Sequence, residues 1–302
     1  MPRRLVIPLV LAAFAACSSE RAGDESGPKP TVVRCAVIGG MTMTGLWQEI
    51  AKRFEARHPC KVEVVVTGPR PVLAEPFRQG KADLLTMHSG DVTTDLVADG
   101  YGTNLRPWTK NDLVIVGPPS DPAGIKGMKD GAAALRRIAE REAPFVDFHG
   151  IGSRELTHNL WRKAGVEPQG KWVLKDESKS GLAILQFAKA HNAYVIVGRM
   201  PVLFGKMQVG DMEVMVEGDP AMRRPYVAME ADPRRFPQAN HAGARALADF
   251  LLSVEVQKLL AEFGAPDHGG IPLFHPIGGA PQAQVPAGSA GPREPAAKER
   301  QG

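Results

Sequence analysis

Apolar positions along this chain keep switching between a short continuous run and a helical period. Residues 32–38 (Val-Val-Arg-Cys-Ala-Val-Ile) form a compact apolar run closed by Gly39-Gly40, which predicts a buried strand. Residues 44–57 then place Leu46, Trp47, Ile50, Ala51 and Phe54 on one face, the signature of an amphipathic helix. Further strands are predicted over 61–66, 82–87 and 112–116. Strand, helix, strand at this spacing implies a parallel sheet with right-handed crossovers, and so an α/β fold.

The same rhythm predicts helices over 131–142, 155–164 and 181–191, and strands over 194–197 and 226–229. Residues 241–263 read as two short helices, one burying Leu247, Phe250, Leu251 and Val254, the next Leu259, Leu260 and Phe263. Beyond Ile277 the composition collapses into Ala, Pro, Gly, Gln and charge, through residue 302. That stretch offers little to bury and is expected to be a disordered tail. No internal repeat is visible.

Charge changes the picture by exclusion. The 37 Lys and Arg nearly balance the 33 Asp and Glu, and no basic stripe carries interleaved aromatics, so no nucleic-acid partner is expected. At the N-terminus, Arg3-Arg4 precedes an apolar stretch from Leu5 to Ala16 that ends in small residues. Such a stretch is too short to span a bilayer and has the proportions of a secretory signal. Phe14-Ala15-Ala16-Cys17 resembles a bacterial lipobox, which makes 1–17 a lipoprotein signal peptide with Cys17 as the lipidation site. A plain secretory signal is the other reading. The polar, turn-rich residues 18–31 suit a flexible tether. The chain is therefore expected on the periplasmic or cell-surface side, touching the membrane only through a lipid anchor.

Cys35 and Cys60 sit early in the first strand and immediately before the second. If those strands are parallel neighbours, their starting ends lie roughly 5–6 Å apart, which a disulfide can bridge in an oxidising compartment. Two buried free thiols are the alternative.

Several runs are more specific than the periodicity. They are Ala82-Asp83-Leu84-Leu85-Thr86-Met87-His88-Ser89, Asp99-Gly100-Tyr101-Gly102, Lys110-Asn111-Asp112-Leu113-Val114-Ile115-Val116-Gly117-Pro118 and Asp121-Pro122-Ala123-Gly124-Ile125-Lys126-Gly127. Leu160 to Gly165, Glu217-Gly218-Asp219-Pro220 and Arg224-Pro225-Tyr226 follow. Together these resemble the tungstate-binding proteins of ABC importers, over roughly residues 34–276. The resemblance implies a two-lobed type II periplasmic-binding-protein fold, each lobe a mixed sheet flanked by helices. Lobe one would comprise 32–116 and 225–276, lobe two 117–224, with crossing strands near 112–117 and 224–230. It further implies a monomer that needs no cofactor, captures a tungstate- or molybdate-like oxyanion in an interlobe cleft and hands it to a membrane permease. A sensor or scaffold with the same fold and a changed or lost ligand is the alternative.

An oxyanion must exchange its hydration shell for fixed donors, and helix N-termini, hydroxyls and Arg supply them. Three junctions offer such donors. Gly40, Thr42 and Thr44 lie between the first strand and its helix, where the family carries a run of Thr and Ser; a plain turn and N-cap is the rival reading there. Ser89 follows the third strand and matches the family motif, while His88 beside it reads as a packed, satisfied histidine. Gly152 and Ser153 keep part of the third motif, but the family's anion-binding Arg falls near Phe148 and is missing. Arg154 or His149 is then left to supply the charge. Ser180, with Ser178, stands before the helix near Gly181 as a fourth contributor, and Arg70 is expected to face solvent.

Catalysis has little support. Ile151-Gly152-Ser153-Arg154-Glu155 does not match a G-x-S-x-G elbow, and no H-E-x-x-H, paired-Cys or P-loop motif occurs. His149 near Ser153 is the one nucleophile–base pairing on offer. No enzyme activity and no metal site are expected.

Overall fold

Three parallel strands start the described chain, and their C-terminal ends prepare the site. The structure, a computed structural model, describes residues 31–148, 154–178, 180–207 and 209–278. Cys17, its signal, most of the tether and the tail from 279 onward lie outside these residues. β1 (Thr31–Ile38) runs directly into a short helix α1 (Gly39–Met43), and α2 (Leu46–Glu55) follows. The helix predicted from residue 44 is α2, and a short helix not predicted precedes it; Gly45 adopts φ 80° and serves as N-cap of α2, a conformation glycine reaches without steric cost. Leu46, Trp47, Ile50 and Phe54 bury the expected face.

β2 (Cys60–Gly68), α3 (Arg70–Arg78), β3 (Leu84–His88) and α4 (Asp91–Ala98) complete this part. β1 pairs in parallel with both β2 and β3. Cys60 lies opposite Thr31 and Cys35 opposite Val64. The two cysteines are therefore offset by about 13 Å along the strands at ~3.3 Å per residue. Both are free and buried, so the expected disulfide is not formed.

β4 (Gly102–Gly117) is far longer than predicted. Pro107 and the left-handed Asn104 obscure it in the sequence, and register shifts beside them absorb the irregularity. α5 (Gly131–Glu140), β5 (Phe145–Asp147), α6 (Arg154–Ala164), β6 (Val173–Lys175), α7 (Ile184–Ala190), β7 (Tyr194–Gly198), α8 (Arg199–Leu203) and β8 (Glu213–Val216) come next. β9 (Arg223–Ala231), α9 (His241–Leu251), α10 (Val254–Glu262) and β10 (His275–Pro276) close the described chain. The strand order is β2-β1-β3-β9-β4-β7-β5-β6, with β8 and β10 also on β4. The result is a mixed α/β sheet flanked by helices.

β4 binds the structure together. Its first part pairs with β9 and its last five residues pair with β7 and β8. The core divides accordingly. One cluster joins Trp47, Phe54, Phe77, Trp108, Tyr226 and Phe274, while Leu113, Leu135, Phe145, Trp161 and Tyr194 belong to a second. A third holds Val114, Val116, Leu185, Val195 and Val197 on the opposite face of the same strands. Where β4 changes partners, buried Asp112 accepts from His275 Nε2 at 2.7 Å and Arg223 Nε at 3.2 Å.

Asp83 locks the first part. Its carboxylate accepts from Arg34 N at 2.8 Å, Arg34 Nε at 3.2 Å and Asn240 N at 3.1 Å. Asn240 in turn caps α9 through Gly243 N and donates to Val32 O. One buried carboxylate thereby joins β1, β3 and α9.

Candidate functional site

β1, β2 and β3 all end at one cavity of about 580 Å3. Ile38, Gly39 and Gly40 reach it from β1 and α1, Thr67 and Gly68 from β2, and His88 from β3. The C-terminal edge of parallel strands is where α/β sheets leave room for a ligand, because each chain turns away into a helix there. Asn111, Arg224 and Tyr226 line it from β4 and β9. Leu182, Met200, Pro201 and Lys206 line it from the later part of the chain. Thr42, Met43 and Pro69 complete the wall.

Among the described residues no acidic one lines this cavity, yet it holds two cations, Arg224 and Lys206. Arg224 Nε donates to Asn111 Oδ1 at 3.0 Å and has no carboxylate partner among the described residues. Burial and then the nearby Arg70 lower its pKa from the usual value. Arg70 is half-buried at the start of α3, contrary to the expected solvent-facing position. Its Nη1 donates to Ser89 O at 3.4 Å, while its buried Nε has no partner. Gly90 leaves space for that guanidinium: a Cβ there would stand 2.6 Å from Arg70 Nη1. Positive charge is thus concentrated where the sheet opens.

His88 is only 9% exposed and its ring lies 4.2 Å from that of Tyr226. It is packed, as expected, but not satisfied, since Nε2 has no hydrogen-bond partner. Burial, then Arg224, then Arg70 push its pKa well below the usual value, so the imidazole is neutral near pH 7. Burial raises the Tyr226 phenol, which stays protonated and able to donate. The depressed His88 pKa has a measurable sign. Below about pH 6.5 the unfolded chain binds a proton that the native state refuses, so stability falls with pH at up to ~1.4 kcal/mol per unit. His88→Phe keeps the ring packing and is expected to lose about 1 kcal/mol less than the parent between pH 7.5 and 5.5, measured by urea unfolding.

Of the residues singled out from sequence, Gly40 and Thr42 line the cavity. Thr42 Oγ1 lies 3.1 Å from Gly39 O and 2.8 Å from Thr67 Oγ1. Thr44, Ser89, Arg154 and Ser180 are not among its lining residues. Thr44 Oγ1 donates back to Gly40 O at 2.9 Å and closes α1 instead of capping α2. Ser89 N donates to Pro225 O at 3.0 Å, tying β3 to β9. Arg154 and Ser180 are exposed, the former at the start of α6. His149, Gly152 and Ser153 lie outside the described residues. Sequence reading passed over Arg224, Tyr226, Thr67, Asn111 and Lys206. A signal was present for the first two, because Arg224-Pro225-Tyr226 is among the specific runs in the sequence.

Residues 35–265 match the family described as bacterial extracellular solute-binding protein. The chain belongs to that family. This solute-binding protein is 32% identical over 263 residues to the "Putative ABC transporter anion-binding protein" of Haloferax volcanii, covering 84% of this chain and 75% of that one. It is 27% identical over 278 residues to the tungstate-binding protein TupA of Peptoclostridium acidaminophilum, covering 89% and 95%. Among solved structures, the tungstate-binding protein TupA from Desulfovibrio alaskensis superposes with a TM-score of 0.66 at 25% identity, over 82% of this chain and 98% of that one. Membership of the family places this solute-binding protein in the periplasm or outside the cell. These relatives are named as tungstate- or anion-binding proteins, one of them of an ABC transporter.

Proposed function

We propose that this protein captures a small oxyanion in the cavity at the ends of β1, β2 and β3 and presents it to an ABC permease. Arg224 carries the reading. A guanidinium without a carboxylate, in a cavity with no acidic lining, is a buried charge waiting for an anion. Tyr226 Oη, Thr42 Oγ1, Thr67 Oγ1 and Lys206 Nζ supply further donors around it. Relatives that bind tungstate or carry the name anion-binding favour the same class.

In this reading 32–116 with 225–276 forms one lobe, 117–224 the other, and β4 with β9 acts as the hinge. Closure brings the Leu182–Lys206 wall onto the bound anion and excludes water, which strengthens each hydrogen bond. Gly152 and Ser153 stand as further donors on the strength of the family resemblance. A monomer tethered through lipidated Cys17 completes the proposal, with 1–16 removed on export so that Cys17 becomes the first residue of the mature chain.

A ligand that binds only the folded state stabilises it by about 2.7 kcal/mol at one hundred times its Kd. Thermal-shift titration with tungstate, molybdate, sulfate and phosphate is therefore expected to raise Tm by several degrees for at least one of them. No shift with any of the four would remove the anion reading.

A further inference from the structure

The cavity is larger and more apolar than an inorganic oxyanion requires. A tetrahedral oxyanion of on the order of five atoms fills ~150 Å3 at the ~30 Å3 that each water-sized unit occupies in liquid. The cavity holds about 580 Å3. Cations and hydroxyls supply only part of its wall. Ile38, Met43, Pro69, Leu182, Met200 and Pro201 supply an apolar remainder.

Leu182 is the telling member. It is 57% exposed, so its side chain gains little from the protein's own core. It lines the same cavity as His88, Arg224 and Tyr226, next to Gly181, whose Cβ position would be 3.6 Å from the Phe148 ring. Phe148 in turn packs on the third apolar cluster. Met200 Sδ would lie 3.4 Å from a Cβ on Gly40, so its thioether borders the same space. Thioethers adapt to irregular apolar shapes, and an exposed leucine on a cavity wall is stabilised when a ligand covers it.

Accepting the anion reading above, on which this step rests, we propose that the site also takes small carboxylates with an apolar body, aryl or branched aliphatic. The carboxylate meets Arg224 as a planar two-oxygen acceptor, matching the guanidinium fork. The hydrocarbon body covers Leu182, Met43 and Met200. This arrangement uses a few polar groups set within a largely apolar lining, as small-molecule pockets of this size do.

Isothermal titration of the full chain with acetate, phenylacetate, 3-methylbutanoate and tungstate tests it, since acetate shares the headgroup and lacks the body. Phenylacetate or 3-methylbutanoate is expected to bind at least tenfold more tightly than acetate. Leu182→Ser, at an exposed position that does not endanger folding, is expected to weaken that carboxylate at least fivefold more than it weakens tungstate. Tungstate binding with no preference for the larger carboxylates overturns this inference and leaves the anion reading standing. No binding of any of the four overturns both. Equal loss of tungstate and carboxylate in Leu182→Ser overturns the assignment of the apolar wall.

Discussion

Arg224→Gln is expected to raise the Kd for tungstate about 100-fold, or to abolish measurable binding. A charge-assisted hydrogen bond contributes ~1.5–3 kcal/mol, and a bidentate guanidinium makes two of them to one anion. Glutamine keeps a donor to Asn111 near the Nε position, but removes the cation and the guanidinium fork. The unliganded variant should be at least as stable as the parent, because the guanidinium sits partly buried with a second cation, Arg70, nearby and no carboxylate to balance it. That pairing of outcomes separates a ligand-binding arginine from a structural one. Calorimetric titration reads the affinity and urea unfolding the stability. Unchanged affinity, or a variant that is destabilised and binds normally, would show that Arg224 serves the hinge and not the ligand.

Asp83→Ala is expected to remove ~2–3 kcal/mol of folding stability, below the ~3–5 kcal/mol for a fully buried ion pair because the Arg34 side chain is one-third exposed. Asp83 is 1% exposed, and its loss strands the amides of Arg34 and Asn240 together with the Arg34 guanidinium. Each stranded buried donor keeps its full desolvation cost. Since Asn240 also caps α9, the helix that covers β1 loosens at its start. Denaturant unfolding at pH 7 checks this; a loss below ~1 kcal/mol would mean that water replaces the carboxylate. Anion binding in the surviving folded fraction should be preserved, because Asp83 lies at the opposite end of β3 from His88.

Much of the scaffold is legible one residue at a time. β1, β3 and β7 are apolar runs of four to eight residues bounded by turn signals, and α2, α5 and α6 carry their buried faces at helical spacing. Elements whose local chemistry argues against them are hidden. α3 contains Pro71 and Pro76 after Pro69, so the run looks like a turn. Pro71 is tolerated because first-turn amides have no intrahelical acceptor, and burial of Leu73, Ala74 and Phe77 holds the rest. β4 hides behind Pro107 and Asn104, and only its pairing with β9 on one side and β7 on the other reveals its length. Cys35 and Cys60 show the limit of adjacency arguments. The strands are parallel neighbours as expected, but a four-residue offset in register keeps the thiols apart.

The candidate site divides in the same manner. Gly40 and Thr42 were visible because they follow a strand and precede a helix. Arg224 and Lys206 read as ordinary basic residues in a chain with 37 of them. What makes Arg224 a candidate is what it lacks, and a missing carboxylate partner is a property of three-dimensional neighbours.

Sequence alone determined that this is an α/β chain, because apolar periodicity and turn signals act through local backbone preferences and burial of each element's own face. Its likeness to solute-binding proteins rested on specific runs such as 82–89 and 110–118 and not on periodicity. Tertiary structure alone decided which residues share the cavity, since side chains more than a hundred positions apart, such as Thr67 and Arg224, meet only once β9 has inserted between β3 and β4. Charge balance belongs to the second category: whether a cation is paired depends on distances that no linear spacing encodes.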